Sequence, residues 1–177
     1  MNVKSAQQGG IIRTCWPGRL EVLKKEPLFY RDGAHNPDGA KKLAAFLQKY
    51  FTNKKINLMP DGQGGFFAEV QDFHWGMHFT NKKIIYIMGV LKDKEYKKML
   101  RYLMPMAKEV YVFKPKNERG LSAQILADTI KEVADVSVTI ESDVNAAVFR
   151  ALDTAKPDDV LVACGSLSFM EEMEDIL

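Results

Sequence analysis

Cysteine is scarce in this sequence of 177 residues, and no hydrophobic run is long. The two cysteines, Cys15 and Cys164, have no disulfide-framework or metal-site spacing, which favours a reducing compartment. No apolar stretch approaches the roughly 20 residues of a membrane span. The start, MNVKSAQQGG, lacks the apolar core of a signal peptide. We therefore expect a cytoplasmic protein that does not enter a membrane.

An excess of either charge is also missing. The chain has 25 basic and 23 acidic residues, and basic residues occur as short pairs such as Lys54-Lys55 and Lys82-Lys83, which are typical of solvated element ends. Nothing in this balance indicates a nucleic-acid partner. The 46% apolar and 27% charged residues are ordinary for a globular protein, and the length suits one α/β domain.

Short β-rich runs alternate with longer stretches of helical period after residue 20. This alternation predicts crossover units, a largely parallel sheet and a three-layer α/β sandwich. The predicted strands are Leu20–Leu23, Leu28–Arg31, Ile84–Met88, Glu109–Phe113, Val136–Ile140 and Val160–Cys164. The predicted helices are Pro37–Tyr50, Lys94–Met104, Ser122–Val133, Ser142–Thr154 and Ser168–Ile176, with Asn36, Ser122 and Ser142 as candidate caps.

The hexapeptide FTNKKI occurs twice, at 51–56 and at 79–84. Removing residues 51–78 on paper leaves a helix that runs through a basic turn into a strand, so we interpret 51–78 as an insertion. Its Gly-rich turn and alternating pattern predict a strand and hairpin excursion. His74 and His78 lie four positions apart in it, but no third ligand is evident, and we predict no metal site.

The stretch DGAHNP, residues 32–37, joins a predicted strand to a predicted helix. Ligands of parallel α/β sheets bind beyond the carboxyl ends of the strands, which places Asp32 and His35 at the functional rim. A carboxylate there accepts hydrogen bonds from hydroxyls or amines, and a histidine donates to anionic oxygens. The alternative is purely structural: Asp32 caps its own turn, Gly33 supplies a positive φ and Asn36 caps the helix.

Other loops at the same rim carry donors for an anionic ligand. Arg19 precedes the first strand, Lys92 and Lys94 follow the strand that ends near Gly89, and Ser166 follows the last strand. Each loop alone has an ordinary structural explanation as a cap or a solvated face. Their convergence at one edge of one sheet predicts a binding site.

Four motifs, PGRLE, DGAHNPDG, MGVLKDKEY and GSLSF, occur in this order along the chain. Together they resemble the C-terminal domain of folylpolyglutamate synthase and dihydrofolate synthase, members of the Mur ligase superfamily. The resemblance runs from about residue 11 to the end, apart from the insertion. It implies a Rossmann-like domain at 16–177 with a six-stranded, mostly parallel sheet, preceded by a linker at 1–15. It also implies an ATP-dependent ligase that joins L-glutamate to a folate carboxylate through an acyl phosphate.

The resemblance assigns roles to five residues. It implies that Arg19 and Asp32 contact the nucleotide. His35 corresponds to a histidine near the incoming glutamate and is the candidate catalytic residue. Ser166 and Lys94 would bind glutamate together with His35, although Lys92 in the same loop competes with Lys94 for that role.

A Walker-type P-loop, G-x-x-x-x-G-K-[ST], is absent from the 177 residues. In the family that resemblance points to, a separate N-terminal ATPase domain carries this loop and most of the ATP and Mg²⁺ site. We therefore expect a fragment that is inactive alone and needs its own N-terminal domain, with ATP, L-glutamate and a folate or dihydropteroate as substrates in folate biosynthesis and one-carbon metabolism.

Two alternatives stay open at this point. The chain could be the domain of another Mur-type amino acid ligase, which would differ in its acceptor. It could also be a non-catalytic module that binds a nucleotide or a partner. A Rossmann dehydrogenase is disfavoured, because no G-x-G-x-x-G follows the first strand.

Overall fold

A computed structural model describes residues 20–51, 54–60, 66–72 and 84–173. The strands are β1 (Glu21–Lys25), β2 (Leu28–Arg31), β3 (Lys54–Pro60), β4 (Phe66–Asp72), β5 (Ile84–Met88), β6 (Ala107–Val112), β7 (Ser137–Ile140) and β8 (Val160–Cys164). The α-helices are α1 (Pro37–Phe51), α2 (Tyr96–Leu103), α3 (Ala123–Val133) and α4 (Val144–Thr154), with 3₁₀ turns at Met104–Met106, Leu167–Phe169 and Glu171–Met173.

Six strands form one sheet in the order β1-β2-β8-β5-β6-β7. Strand β1 is antiparallel to β2, and all the other neighbours are parallel. The central strands β5 and β8 are buried along their whole length, which explains why they are apolar without alternation. The predicted fold class, a mostly parallel six-stranded α/β sheet, is confirmed.

Two separate cores cover the two faces of this sheet. In the first core, helices α1, α2 and α3 pack on the face of the sheet that carries Tyr30, Tyr86 and Val162. In the second core, helix α4 and the C-terminal 3₁₀ turns pack on the opposite face, where Phe113 and Phe169 meet edge to face with their ring centroids 4.9 Å apart. The alternation of side chains along each strand thus produces the three layers. None of the helices described combines the length and the apolarity needed to cross a bilayer.

Helix starts differ in detail from the prediction. Asn36 caps α1 as expected, because its Oδ1 accepts a hydrogen bond from the Gly39 N–H at 2.8 Å. Ser142 does not cap α4; Asp143 does, accepting from Ala146 N–H at 2.9 Å, and this bond lowers the pKa of Asp143. The Ser142 hydroxyl donates to the Asp143 carboxylate instead, at 3.1 Å. At α3, Ser122 occupies the cap position without a side-chain bond.

Two predicted helices also end differently. The helix expected at Lys94–Met104 begins at Tyr96, and a 3₁₀ turn replaces its end at Met104–Met106, where Pro105 lacks the N–H that would continue it. The helix expected at Ser168–Ile176 is wrong over the described residues, which form the 3₁₀ turns Leu167–Phe169 and Glu171–Met173. These short turns place Phe169, Met170 and Met173 in the second core.

Strands β3 and β4 form a separate antiparallel pair, with Lys54 opposite Asp72 and Pro60 opposite Phe66. They lie within the predicted insertion and agree with the predicted hairpin excursion. Strand β3 approaches α1, and β4 approaches α2. The limits of the insertion, 51–78, stay a prediction, and His74 and His78 lie outside the described residues.

One tyrosine of the first core has a buried hydroxyl. Tyr86 on β5 is 0% exposed, and its hydroxyl finds no hydrogen-bond partner within the described residues. Burial raises its pKa well above the usual value. Because an orphan buried polar group costs about 1–3 kcal/mol, we expect Tyr86→Phe to raise the free energy of unfolding by about 1 kcal/mol in urea titrations.

Tyr111→Phe is the matched control for this prediction. Tyr111 is equally buried, at 1% exposed, but its hydroxyl lies 2.8 Å from the Thr154 Oγ1. Removing that hydroxyl should lower the free energy of unfolding by about 1 kcal/mol. If both variants are destabilised alike, the Tyr86 hydroxyl has a partner such as a buried water.

Candidate functional site

The predicted site lies where three neighbouring strands end. Residues pair across β2 and β8 at Arg31 and Ala163, and across β8 and β5 at Cys164 and Met88. The three loops that follow therefore leave the sheet side by side. This is the edge at which parallel α/β sheets bind ligands.

The Asp32 carboxylate organises the first of these loops. Its Oδ1 accepts from the Ala34 N–H and its Oδ2 from the Leu20 N–H, both at 2.9 Å. Its own N–H donates to the Ala163 carbonyl on β8 at 2.9 Å. Asp32 therefore does cap its own turn, as the structural alternative proposed, and also fixes the start of β1. The structural alternative also predicted a positive φ for Gly33, and this part of it is wrong.

His35 is oriented by its own loop. Its Nδ1 lies 2.7 Å from the Gly33 carbonyl oxygen. A carbonyl only accepts hydrogen bonds, so Nδ1 carries the proton. In the neutral ring Nε2 is then the nitrogen with a free lone pair, and the half-buried ring borders the adjacent pocket. The arrangement suits a group that accepts a proton or contacts a polar ligand.

A pocket of about 290 Å³ opens beside this loop. It is lined by Leu20, Asp32, Gly33, Ala34, His35, Asn36, Asp38, Gly39, Lys42 and Leu43. The structure thus brings together two of the predicted site residues, Asp32 and His35. Arg19 lies outside the described residues, although its neighbour Leu20 lines the pocket and bonds to Asp32.

The loop after β8 is joined directly to this site through its backbone. The Gly165 N–H donates to the Ala34 carbonyl at 3.0 Å, and Gly165 has a φ of +116°. Ser166 follows, but it is only 2% exposed, and its Oγ accepts from the Ser168 N–H at 3.1 Å. The predicted glutamate contact of Ser166 thus has a hydroxyl that already caps a 3₁₀ turn and does not line the pocket.

Lys94 lies at the same edge of the sheet, beyond the end of β5. It is half-buried and does not line the pocket. Its loop is held by the loop after β6, because Leu91 pairs with Gly120 and the Lys92 N–H donates to the Arg119 carbonyl at 2.8 Å. Lys94 thus lies at the rim but apart from the pocket, and its contact with a ligand stays a prediction.

Sequence reasoning missed two charged residues of the pocket, Asp38 and Lys42. They lie four positions apart in α1 and so share one face of this helix, next to the loop that carries His35. Their helical spacing from the DGAHNP motif was the available signal. Lys42 adds a basic side chain to a pocket that already contains the carboxyl groups of Asp32 and Asp38.

The thiol of Cys164 lies at the end of β8, buried and free. Burial raises the pKa of this thiol, and the charge of Asp32 raises it further. The thiol stays protonated, so it is not a nucleophile at this site. Among the residues described, no cluster of three or more His, Cys, Asp or Glu side chains could hold a metal ion.

Comparison with known families gives an independent assignment. The family model described as Mur ligase, glutamate ligase domain, matches residues 75–167, which is slightly more than half of the chain. A dihydrofolate synthase/folylpolyglutamate synthase of Bacillus subtilis is 25% identical over 169 residues, which are 95% of this chain and 32% of that protein. The chain thus spans about a third of the length of this curated relative.

Solved structures show the same fold. Escherichia coli FolC, in complex with DHPP and ADP, superposes with a TM-score of 0.70 at 20% identity over 99% of this chain and 34% of its own. A bifunctional folylpolyglutamate synthase/dihydrofolate synthase with Mn, AMPPNP and L-glutamate bound gives 0.66 at 26% identity, over 92% of this chain and 32% of its own. The predicted resemblance is confirmed, and the chain belongs to the family of Mur ligase glutamate ligase domains.

Proposed function

We propose that this chain is the C-terminal ligase domain of a cytoplasmic folylpolyglutamate synthase or dihydrofolate synthase. It would supply the L-glutamate site and part of the ATP site, while its own N-terminal ATPase domain would bind the rest of ATP and Mg²⁺. The main support for this proposal is that Asp32 and His35 line the same pocket at the carboxyl edge of the sheet. The chain that carries this pocket belongs to the family of Mur ligase glutamate ligase domains.

The names of the relatives support the proposed substrates. The Bacillus subtilis relative is named for dihydrofolate and folylpolyglutamate synthesis. The structure at 26% identity holds Mn, AMPPNP and L-glutamate, which correspond to a divalent metal, an ATP analogue and the amino acid. A folate or dihydropteroate is the acid to be joined to the glutamate in this proposal.

In this proposal His35 accepts a proton from the attacking amine. In the ligation, the amine of L-glutamate attacks the acyl phosphate, a C–N bond forms and inorganic phosphate leaves. The amine must lose protons for this to happen, and a neutral His35 with its proton on Nδ1 offers Nε2 as the acceptor. The Gly33 carbonyl keeps the ring in that tautomer, which is why we assign the catalytic role to His35.

We propose the nucleotide contact of Asp32 from its position: the side chain lines the pocket at the carboxyl edge of the sheet, and its bonds to the Leu20 and Ala34 N–H groups fix the orientation of the carboxylate. Arg19 would act on the same nucleotide from the segment that precedes Leu20. Ser166 and Lys94 would bind glutamate carboxylates, and for Ser166 this requires the ligand to replace Ser168 as a partner of the hydroxyl.

The isolated chain should not ligate glutamate. We expect no folate-dependent and ATP-dependent glutamate incorporation by residues 1–177 alone, and clear incorporation once the upstream domain is joined to it, because the P-loop is absent from this sequence. Incorporation of labelled glutamate into folate, measured for both forms with ATP and Mg²⁺, tests this. Ligation by the joined protein to a different acid, but not to folate or dihydropteroate, would contradict the proposed substrate.

A further inference from the structure

A buried arginine connects three parts of the chain next to the site. Arg31, the last residue of β2, is only 8% exposed. Its Nε donates to Glu21 Oε2 at 2.8 Å and its Nη2 to Glu21 Oε1 at 3.1 Å, so the pair is bidentate. Its Nη1 donates to the carbonyl of Met170 at 2.9 Å. The guanidinium thus joins β1, β2 and the segment after the first C-terminal 3₁₀ turn.

These bonds hold the loop after β8 at both ends. At its start, the Gly165 N–H donates to the Ala34 carbonyl at 3.0 Å. At its end, the Met170 carbonyl accepts from Arg31. Ser166 lies between these two points and caps the turn that connects them. Residues 31–34 therefore carry Asp32 and also anchor the loop that carries Ser166.

We propose that Arg31 is a positioning residue that holds residues 165–170, and with them Ser166, in place for L-glutamate. This inference rests on the proposed function, in which Ser166 binds a glutamate carboxylate. Arg31 acts through the loop and does not line the pocket. Its effect should therefore fall on glutamate and spare ATP.

The chemistry requires arginine at this position. Only a guanidinium has two N–H groups spaced to bond both oxygens of the Glu21 carboxylate and another N–H group that points to the Met170 carbonyl. A lysine ammonium is a point charge and does not reproduce the three bonds at once. Burying the ion pair costs desolvation energy, so a purely structural role is a weak reason for its presence.

Kinetics of the full-length enzyme test the link to glutamate. We expect Arg31→Met and Arg31→Lys to raise the KM for L-glutamate about tenfold or more, while the KM for ATP changes less than about twofold.

Glu21→Gln keeps an acceptor for Arg31 and leaves the Met170 bond in place, so it should lower thermal stability with little effect on the KM for glutamate. Arg150→Met, which removes an exposed arginine that pairs with Glu141 at 3.6 Å, is the control and should change neither.

Amide hydrogen exchange of the 177-residue chain tests the anchor without any activity. We expect Arg31→Met to accelerate exchange at residues 165–170 and to leave α1 as it is. Unchanged exchange in that loop overturns the anchor. Faster exchange combined with equal changes in both KM values overturns its link to glutamate. If the wild-type full-length enzyme ligates no glutamate, the proposed function fails, and exchange still decides whether Arg31 anchors the loop.

Discussion

We expect His35→Ala to lower kcat/KM for glutamate ligation by the proposed full-length enzyme about 100-fold or more, the range that a positioned proton-transfer group contributes. The substitution removes the only imidazole among the described residues that line the pocket. It should leave the fold intact, because within the described part of the chain the ring bonds to the Gly33 carbonyl alone. Steady-state rates over a series of glutamate concentrations, together with thermal melting, measure both effects.

Lys41→Ala is the control for this variant. Lys41 is exposed on α1 and does not line the pocket, so its removal should leave the rate unchanged. Asp32→Ala should lower both the rate and the stability, because the Leu20 and Ala34 N–H groups lose their acceptor. If His35→Ala and Asp32→Ala both ligate glutamate at the wild-type rate, the assignment of this site is wrong.

Gly165→Ala destabilises the 177-residue chain by about 3 kcal/mol, through backbone strain and a steric clash. Gly165 has a φ of +116°, which only glycine adopts readily. A Cβ there would lie 2.7 Å from the Gly89 carbonyl oxygen and 2.9 Å from Val90 Cγ1. The first of these atoms belongs to the backbone and cannot rotate away. The midpoint of urea unfolding gives the change in free energy.

Gly39→Ala serves as the comparison. Gly39 lies in the first turn of α1, and a Cβ there would meet nothing closer than 3.2 Å, at the Ala34 Cα. Helix propensity favours alanine, while the tight contact opposes it, so the net change should stay within about 1 kcal/mol. Equal destabilisation by the two variants would show that the clash at Gly165 is relieved by a shift of the loop.

The layered fold was predictable because its signals are local and periodic. Strands such as Ile84–Met88 and Val160–Cys164 are unbroken apolar runs between turns, and the structure gives both with the predicted bounds. The C-terminal helix failed because the burial of Phe169, Met170 and Met173 is decided by the sheet beneath them. Tertiary packing there overrides the helical pattern of the sequence.

The site was predictable only in part. The strand-to-helix position of DGAHNP was enough to place Asp32 and His35 at the rim, and both line the pocket. The hydrogen bonds of Asp32 to Leu20 and of Arg31 to Met170 were not predictable, because they join residues 12 and 139 positions apart. The burial of Ser166 was also not predictable, because a Gly-Ser pair after a strand is typical of an exposed turn.

Main-chain contacts join the loop that lines the pocket to the end of β8 and the loop that follows it. The bonds from Asp32 N–H to the Ala163 carbonyl and from Gly165 N–H to the Ala34 carbonyl use no side chain at all. Asp38 and Lys42 take no part in these two bonds, so substitutions there should leave the link between the loop and β8 in place. Libraries that vary Asp38 and Lys42 and keep Asp32 and the glycines constant should therefore change the charge of the pocket wall without moving the loop that carries His35.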